Sequence, residues 1–167
     1  VTLTLNGCTA TDSRTVTVNP LPIVNLGNDT TICAGQALLL NATYPGATYL
    51  WQDGSTAATF AVNSAGVYTV GVTLNGCTVS DSRLVTVNPL PVVGLGNDTT
   101  LCAGQPLVLN ATYPGATYLW QNGYTAATIN AAGGGVFSVT LTLTGCTAHD
   151  SRTVTVNPLP IVNLGND

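Results

Sequence analysis

The chain has 167 residues, of which 45% are apolar and only 6% charged, and its net charge at pH 7 is −4. Three arginines supply all of its permanent positive charge, so it lacks the cationic clusters that nucleic acids and anionic membrane surfaces require. No apolar run approaches the roughly 20 residues that span a bilayer. We therefore expect neither nucleic-acid binding nor membrane insertion in this segment.

The sequence repeats itself at a fixed interval. Cys33 recurs as Cys102, and Trp51 recurs as Trp120, so the period is 69 (102 − 33 = 120 − 51 = 69). A period of this size is typical of an array of similar folding units, and we interpret the chain as a segment of a longer array. The predicted divisions are the C-terminal part of a repeat (1–19), a complete repeat with its Pro-Leu-Pro joint (20–88), a second complete repeat with its joint (89–157), and a joint with the start of the next repeat (158–167).

Each complete repeat begins with its Pro-Leu-Pro joint, which is expected to be short, extended and stiff because proline fixes φ. After the joint the apolar residues alternate with a period of two, and no helical stripe occurs. Asn75-Gly76 predicts a two-residue hairpin turn, since both residues tolerate positive φ. About seven short strands per repeat indicate a small β-sandwich. In the first repeat, strands are predicted at 37–42, 48–52, 56–62, 67–74 and 78–88.

Four aromatic side chains are the candidate core. Trp51 and Trp120 fall on the predicted third strand, where immunoglobulin-like sandwiches bury a tryptophan. Tyr68 and its counterpart Phe137 lie near the start of the sixth strand, and Tyr68 fits a tyrosine corner there. These positions predict an all-β fold of tandem immunoglobulin-like Greek-key sandwiches in a linear array.

Several motifs also resemble a known class of repeats. GNDTTICAGQ (27–36), YLWQDG (49–54) and VTVNPLP (85–91) are similar to the PKD-like or Ig-like repeats of large Bacteroidota surface proteins, which include gliding-motility adhesins and other type IX-secreted proteins. The resemblance implies tandem PKD-like sandwiches in a secreted stalk or filament on the cell surface. It implies a structural role and no catalysis.

The cysteines allow two patterns of disulfide bonds. Cys33 is predicted in the loop before the second strand, at the end of its repeat nearest the next one, whereas Cys77 follows the hairpin at the opposite end. A strand covering 67–74 rises roughly 25 Å at about 3.3 Å per residue, and a disulfide needs Cα atoms within about 7 Å. This geometry favours a bond between repeats, Cys33–Cys146. Cys8, Cys77 and Cys102 would then pair with repeats outside the segment.

The alternative pattern places one disulfide inside each repeat. It pairs Cys33 with Cys77 and Cys102 with Cys146. A third reading leaves the thiols free. Small secreted domains often add disulfides to a modest core, so an oxidised, extracellular protein is expected under either bonded pattern.

No catalytic, cofactor-binding or metal-ligating set is expected. The aspartates recur in Asn-Asp-Thr turns and Asp-Ser-Arg motifs, and His149 stands where the first repeat has Ser80. Asp81 and Arg83 would lie on one face of a strand and predict a surface ion pair. The chain is therefore expected not to be an enzyme and to need no cofactor.

Residues predicted at the surface suggest two further features, one of covalent modification and one of binding. Thr30 and Thr99, in Asp-Thr-Thr motifs, are candidate O-glycosylation sites, as the resemblance implies; a polar turn is the alternative. Tyr44, Tyr113 and Tyr124 lie in turns and could form a carbohydrate platform.

The predicted function is a structural segment of a bacterial surface stalk or filament that transmits tension and displays a distal tip. Its partners would be the neighbouring repeats of the same chain. Lateral self-association into filaments is also expected to be permitted, since the strand edges carry no lysine. The alternative is a module that binds surface glycans or another partner in every repeat.

Overall fold

The computed structural model describes residues 1–162, so the predicted start of a further repeat within 158–167 lies largely outside the described residues. Every regular element in that part of the chain is a β-strand. The strands are β1 Thr2–Leu5, β2 Cys8–Thr11, β3 Thr30–Cys33, β4 Leu38–Asn41, β5 Thr48–Trp51, β6 Thr59–Val62, β7 Gly66–Leu74, β8 Cys77–Asn88, β9 Thr99–Cys102, β10 Val108–Asn110, β11 Thr117–Trp120, β12 Thr128–Asn130, β13 Gly135–Leu143 and β14 Cys146–Asn157.

The first complete repeat forms two sheets. Its four-stranded sheet has the order β3-β8-β7-β5, and β4 pairs with β6 in a second, two-stranded sheet. β3 runs parallel to the end of β8, from Thr30 opposite Val85 to Cys33 opposite Asn88. The second complete repeat copies this arrangement as β9-β14-β13-β11 and β10-β12. The strands from β3 to β7 thus alternate between the two sheets, and β8 then returns to lie between β7 and β3, which is a Greek-key order typical of an immunoglobulin-like sandwich.

The prediction of an all-β, immunoglobulin-like fold is therefore confirmed, and the predicted strands correspond to β4 through β8. The prediction missed β3. Cys33 was expected in a loop, but it is the last residue of this strand. β3 is short and has no apolar alternation, and its extended conformation depends on pairing with β8.

The core of each repeat is built from alternate residues of the long strands. Along β7, Tyr68, Val70 and Val72 are buried, and the residues between them are not. Trp51 and Trp120 are 2% and 1% exposed. Their indole Nε1 atoms donate to the carbonyls of Ala57 and Ala126, each at 2.8 Å, which satisfies the one polar group of the ring.

The other two candidate core aromatics differ between the repeats. Tyr68 is 8% exposed, and its ring centroid lies 5.6 Å from that of Phe60. Phe60 in turn lies 5.0 Å from Trp51. In the second repeat Phe137 is half-buried and packs against the cluster that contains Trp120. Ile129 stands at the position of Phe60, so this side of the second core has less aromatic volume.

Two-residue turns join the last two strands of each repeat. Asn75 and Gly76 have φ values of 48° and 80°, as the Asn-Gly pair predicts. The second repeat has Thr144 and Gly145 there, with φ values of 48° and 85°. Asn adopts positive φ readily, whereas a β-branched threonine does so only under strain.

The described chain divides into two compact units. Unit 1 contains Val1–Asp29, Leu39–Val62 and Val67–Leu84. Unit 2 contains Thr30–Leu38, Asn63–Gly66 and the chain from Val85 onward. The end of the first repeat that carries β3 therefore belongs to the same unit as the second repeat. The boundaries read from the sequence period stay a prediction.

Candidate functional site

The main candidate site is the Cys33 junction, which we define as Cys33, Asn88, Thr144 and Cys146, all within unit 2. The parallel pairing of β3 with β8 places Cys33 opposite Asn88, at the end of the first repeat. Cys146 is the first residue of β14 and directly follows the Thr144-Gly145 turn of the second repeat. The end of one repeat and a hairpin turn of the next thus supply the two halves of the site.

The structure joins the two cysteines covalently. The Sγ atoms of Cys33 and Cys146 lie 2.00 Å apart and their Cα atoms 5.6 Å apart, across 113 residues of sequence. Cys146 is only 1% exposed. Cys8, Cys77 and Cys102 are unpaired. Of the pairings that the sequence allows, the structure has the one between repeats.

Asn88 adds polar contacts around this bond. Its side-chain Nδ2 donates to the carbonyl of Thr144 at 3.1 Å. Its own carbonyl accepts from the backbone N–H of Ala34 at 2.8 Å and lies 4.0 Å from the Cys146 Sγ. One residue therefore fixes the loop after β3 and holds the turn of the next repeat.

The same asparagine contact occurs once more, in unit 1. Asn19, which precedes the first Pro-Leu-Pro joint, donates from Nδ2 to the carbonyl of Asn75 at 3.1 Å. Asn19 and Asn88 are one period apart, and so are Asn75 and Thr144 (88 − 19 = 144 − 75 = 69). The contact thus follows the period of the sequence.

A second recurring arrangement anchors the segment that follows each joint. Asp81 Oδ2 accepts from the backbone N–H of Leu26 at 2.7 Å, and Arg83 Nη1 donates to the carbonyl of the same residue at 2.8 Å. The Leu26 side chain is buried. The sequence predicted a surface ion pair between Asp81 and Arg83, but both side chains are half-buried and their hydrogen bonds go to the backbone of Leu26, near the start of the repeat.

The second repeat has the same backbone clamp. Asp150 Oδ2 accepts from Leu95 N–H at 2.7 Å, and Arg152 Nη1 donates to the Leu95 carbonyl at 3.0 Å. Leu95 is buried like its counterpart. Charge-assisted bonds to backbone groups are stronger than neutral ones, so the clamp holds the chain between the joint and β9 against the sandwich.

Tyrosine side chains tie a turn that the sequence presented as a surface feature. The hydroxyl of Tyr49 accepts from Tyr44 N–H and donates to the Tyr44 carbonyl, both at 2.9 Å. Tyr118 and Tyr113 repeat these bonds. Tyr44 and Tyr113 are half-buried, which leaves them little free surface for a carbohydrate platform. Of the three candidate tyrosines, Tyr124 is the one that is exposed, at 55%.

The candidate glycosylation sites lie at the first residue of β3 and of β9. Thr30 and Thr99 are half-buried, whereas the next threonines, Thr31 and Thr100, are exposed. Asp29, beside Thr30, accepts from the Leu84 backbone N–H at 2.9 Å. Modification of Thr30 and Thr99 stays a prediction.

Neither a membrane-spanning helix nor a metal-binding cluster is found among the described residues. Residues 1–162 contain no helix that is long and apolar enough to cross a membrane. In the same range, no three His, Cys, Asp or Glu side chains are grouped so that they could hold a metal ion.

Comparison with known proteins adds little beyond the fold. No protein-family model matches the sequence, and no curated protein is significantly similar to it. Among solved structures, the chain is similar to the titin domains Z1Z2 in complex with telethonin, with 13% identity, 86% of this chain and 100% of that chain covered, and a TM-score of 0.38. It is also similar to extracellular domains 3–5 of Drosophila OTK, with 13% identity, 93% and 69% covered, and a TM-score of 0.46. The insect immune protein hemolin matches with 16% identity, 81% and 47% covered, and a TM-score of 0.45. At such scores these likenesses carry no functional argument, and the fold assignment rests on the strand order.

Proposed function

We propose that the chain is a structural repeat segment of an extracellular stalk or filament on a bacterial surface. In this proposal it belongs with the PKD-like and Ig-like repeats of type IX-secreted Bacteroidota proteins, such as gliding-motility adhesins. Its task is to transmit tension and to display a distal tip. The sequence motifs at 27–36, 49–54 and 85–91 support this origin.

The Cys33 junction is the observation that carries the proposal. A disulfide persists in oxidising surroundings and is rare in the cytosol, so the Cys33–Cys146 bond supports an extracellular location. A bond between successive repeats reinforces the connection that would otherwise consist of the joint alone. The backbone clamps on Leu26 and Leu95 add to this by holding the segment after each joint against its own sandwich.

Labelling of intact source cells tests this proposal. Antibodies raised against the chain are expected to bind surface fibres in immunoelectron microscopy, and mild protease treatment of whole cells should remove the label. An unrelated cytosolic protein serves as the control for cell integrity. Label found only inside intact cells would contradict the proposal.

Lateral association between copies of the array is a second candidate function. Large apolar side chains are exposed at the same positions of both repeats: Leu39 and Val108, Leu50 and Leu119, and Val67 and Val136, all between 55% and 64% exposed. Because the spacing is identical in each copy, two arrays could match these side chains along their length. Exposed strands without charge are prone to such pairing.

Charge introduced on this surface tests lateral association. The double variant Leu50→Lys/Leu119→Lys should stay monomeric in sedimentation at concentrations where the unmodified chain associates, since it places lysines on the strand edge. Thr56→Lys/Thr125→Lys is the matched control, because it adds the same charge at exposed positions that lie outside the strands. Equal association of all three proteins would rule this surface out.

Glycan binding remains the alternative role, and one surface hollow favours it. The hollow has a volume of ≈ 570 Å³, and its lining includes two aromatic rings and two amide groups, those of Tyr124, Phe137, Asn122 and Asn130. The first repeat has Ser55 in place of Tyr124, so this chemistry does not recur in every repeat. A glycan array with the unmodified chain and Tyr124→Ala tests it, and binding that survives the substitution excludes this hollow.

A further inference from the structure

The two complete repeats end in the same local structure, but their cysteines are in different states. Cys33 is bonded to Cys146, whereas Cys102 is exposed and unpaired. The loops behind them match: Ala34 N–H donates to Asn88 O, and Ala103 N–H donates to Asn157 O, both at 2.8 Å. The loop behind Cys102 therefore has the bonded conformation although Cys102 has no partner.

Hydrogen bonds at the cysteines themselves agree with this. The backbone N–H of Cys33 donates to Gln36 Oε1 at 2.9 Å, and that of Cys102 donates to Gln105 Oε1 at 2.7 Å. The second repeat thus presents an end in which these two backbone N–H groups already have the partners that they have at the bonded end.

A groove lies open beside Cys102. It has a volume of ≈ 370 Å³, and its lining includes Cys102, Gln105, Leu107, Ala132, Gly133 and Val156. The lining is mostly small and apolar, with two amides, those of Gln105 and Asn130, and one thiol.

The partner half of the junction also occurs in two states. Cys146 is 1% exposed where it bonds to Cys33, while its counterpart Cys77 is half-buried and unpaired. Cys77 nevertheless follows a turn that is already held by the Asn19 side chain, as the Thr144 turn is held by Asn88. The turn between the last two strands is therefore the element that meets the preceding repeat at both places.

We propose that the groove beside Cys102 binds the turn between the last two strands of a further copy of this repeat, and that Cys102 forms a disulfide with that copy's counterpart of Cys146. The proposal deepens the surface-stalk function and rests on it. Formation of the bond removes one proton and one electron from each thiol, and both electrons and both protons pass to the disulfide of an oxidised thiol–disulfide exchange protein, which is left as a dithiol.

Such bonds would form a covalent ladder along the array. In each repeat one cysteine begins the last strand, as Cys77 does, and in the next repeat one cysteine ends the first strand, as Cys102 does. These two cysteines lie 25 residues apart along the chain (102 − 77 = 25). Each bond then spans 113 residues, as Cys33–Cys146 does. The shortest covalent path therefore runs alternately through a disulfide and a Pro-Leu-Pro joint.

When the array is pulled, the force passes along this covalent path, and most residues of each sandwich do not bear it. It follows less than a fifth of the chain in every two repeats (25 against 2 × 69 = 138). At roughly 3.5 Å per extended residue, the ladder limits two repeats to about 90 Å, whereas without cross-links they could be drawn out to about 480 Å. The maximum length of a cross-linked array would therefore be about one fifth of that of an uncross-linked one.

A chain extended after Asn157 by one further copy of residues 89–157 tests the proposal. In this chain, peptide mapping without reductant should link Cys102 to the added copy's counterpart of Cys146. Iodoacetamide, which alkylates the free Cys102 thiol of the original chain, should leave Cys102 of the oxidised extended chain unmodified, because a disulfide has no thiolate to react. A reactive Cys102 in the extended chain, or a bond from Cys102 to Cys8 or Cys77, would overturn the proposal.

A second extended chain separates docking from cross-linking. It carries serine at the added counterpart of Cys146, so no disulfide can form, yet alkylation of Cys102 should still be slower than in the original chain. Equal rates would show that the groove binds nothing and would also overturn the proposal. A failed cross-link leaves the surface-stalk function intact, while absence of the protein from the cell surface removes that function whatever Cys102 does.

Discussion

The two complete repeats have the same strand order and the same backbone clamp, and they differ most at the elements by which repeats meet. Cys33 is bonded and Cys102 is free, and the turn of the first repeat has Asn75 where the second has Thr144. The local sequence is thus sufficient to build each sandwich. The end that carries Cys33 is joined to the second repeat, so this junction is a property of two repeats together.

Removal of the junction disulfide should give the largest effect on stability. The double variant Cys33→Ser/Cys146→Ser opens a loop of 113 residues, and loss of such a constraint on the unfolded chain costs about 4–5 kcal/mol. Urea unfolding followed by circular dichroism measures the change. The matched control is Cys77→Ser/Cys102→Ser, which removes two free thiols and should shift the free energy of unfolding by under about 0.5 kcal/mol. Equal losses of unfolding free energy in the two double variants would show that the disulfide does not stabilise the bonded end more than free thiols do.

The backbone clamp should give the next largest effect, and a similar one in both repeats. Asp81→Ala and Asp150→Ala each leave the N–H of a buried leucine without its charged acceptor, which costs about 1.5–3 kcal/mol. Asp12→Ala is the control, since Asp12 has the same place in the N-terminal part-repeat but is exposed. Urea midpoints of the three variants test this. A loss in only one complete repeat would show that the two clamps are not equivalent.

Exchanging the residues that differ between the two hairpin turns should give the smallest change in stability. Thr144→Asn relieves the strain of a β-branched residue at φ 48° and is expected to stabilise the chain by about 1 kcal/mol. The reverse change, Asn75→Thr, should destabilise it by a similar amount. Thermal melts of both variants measure the two changes in stability. Shifts of the same sign would contradict the strain argument, because the two substitutions are opposite.

The sequence predicted the elements whose signals are local. Alternation along 67–74 and the Asn75-Gly76 pair were enough for β7, β8 and their turn. β3 was missed because so short a strand carries no periodicity, and its extended conformation comes from pairing with β8, which lies at the other end of the repeat.

The sequence also predicted some features of the candidate site and not others. The spacing of the cysteines and the rise of a strand favoured Cys33–Cys146, and this is the pair that the structure joins. The hydrogen-bond partners of Asp81 and Arg83 could not be predicted from the sequence. Both side chains bind the backbone N–H or carbonyl of Leu26, and every non-proline residue has these groups. The role of Asn88 was missed for the same reason, because its acceptor is a carbonyl of another repeat.

Stretching of single molecules held by their two ends tests the central claim most directly. The Cys33–Cys146 bond encloses the chain between two positions that are 113 apart, and about 400 Å of extended chain should therefore stay hidden under oxidising conditions. Addition of a reductant, or the Cys33→Ser/Cys146→Ser variant, should release this length. An oxidised chain that lengthens by the full contour of both repeats would contradict the claim that the disulfide carries tension past the sandwiches.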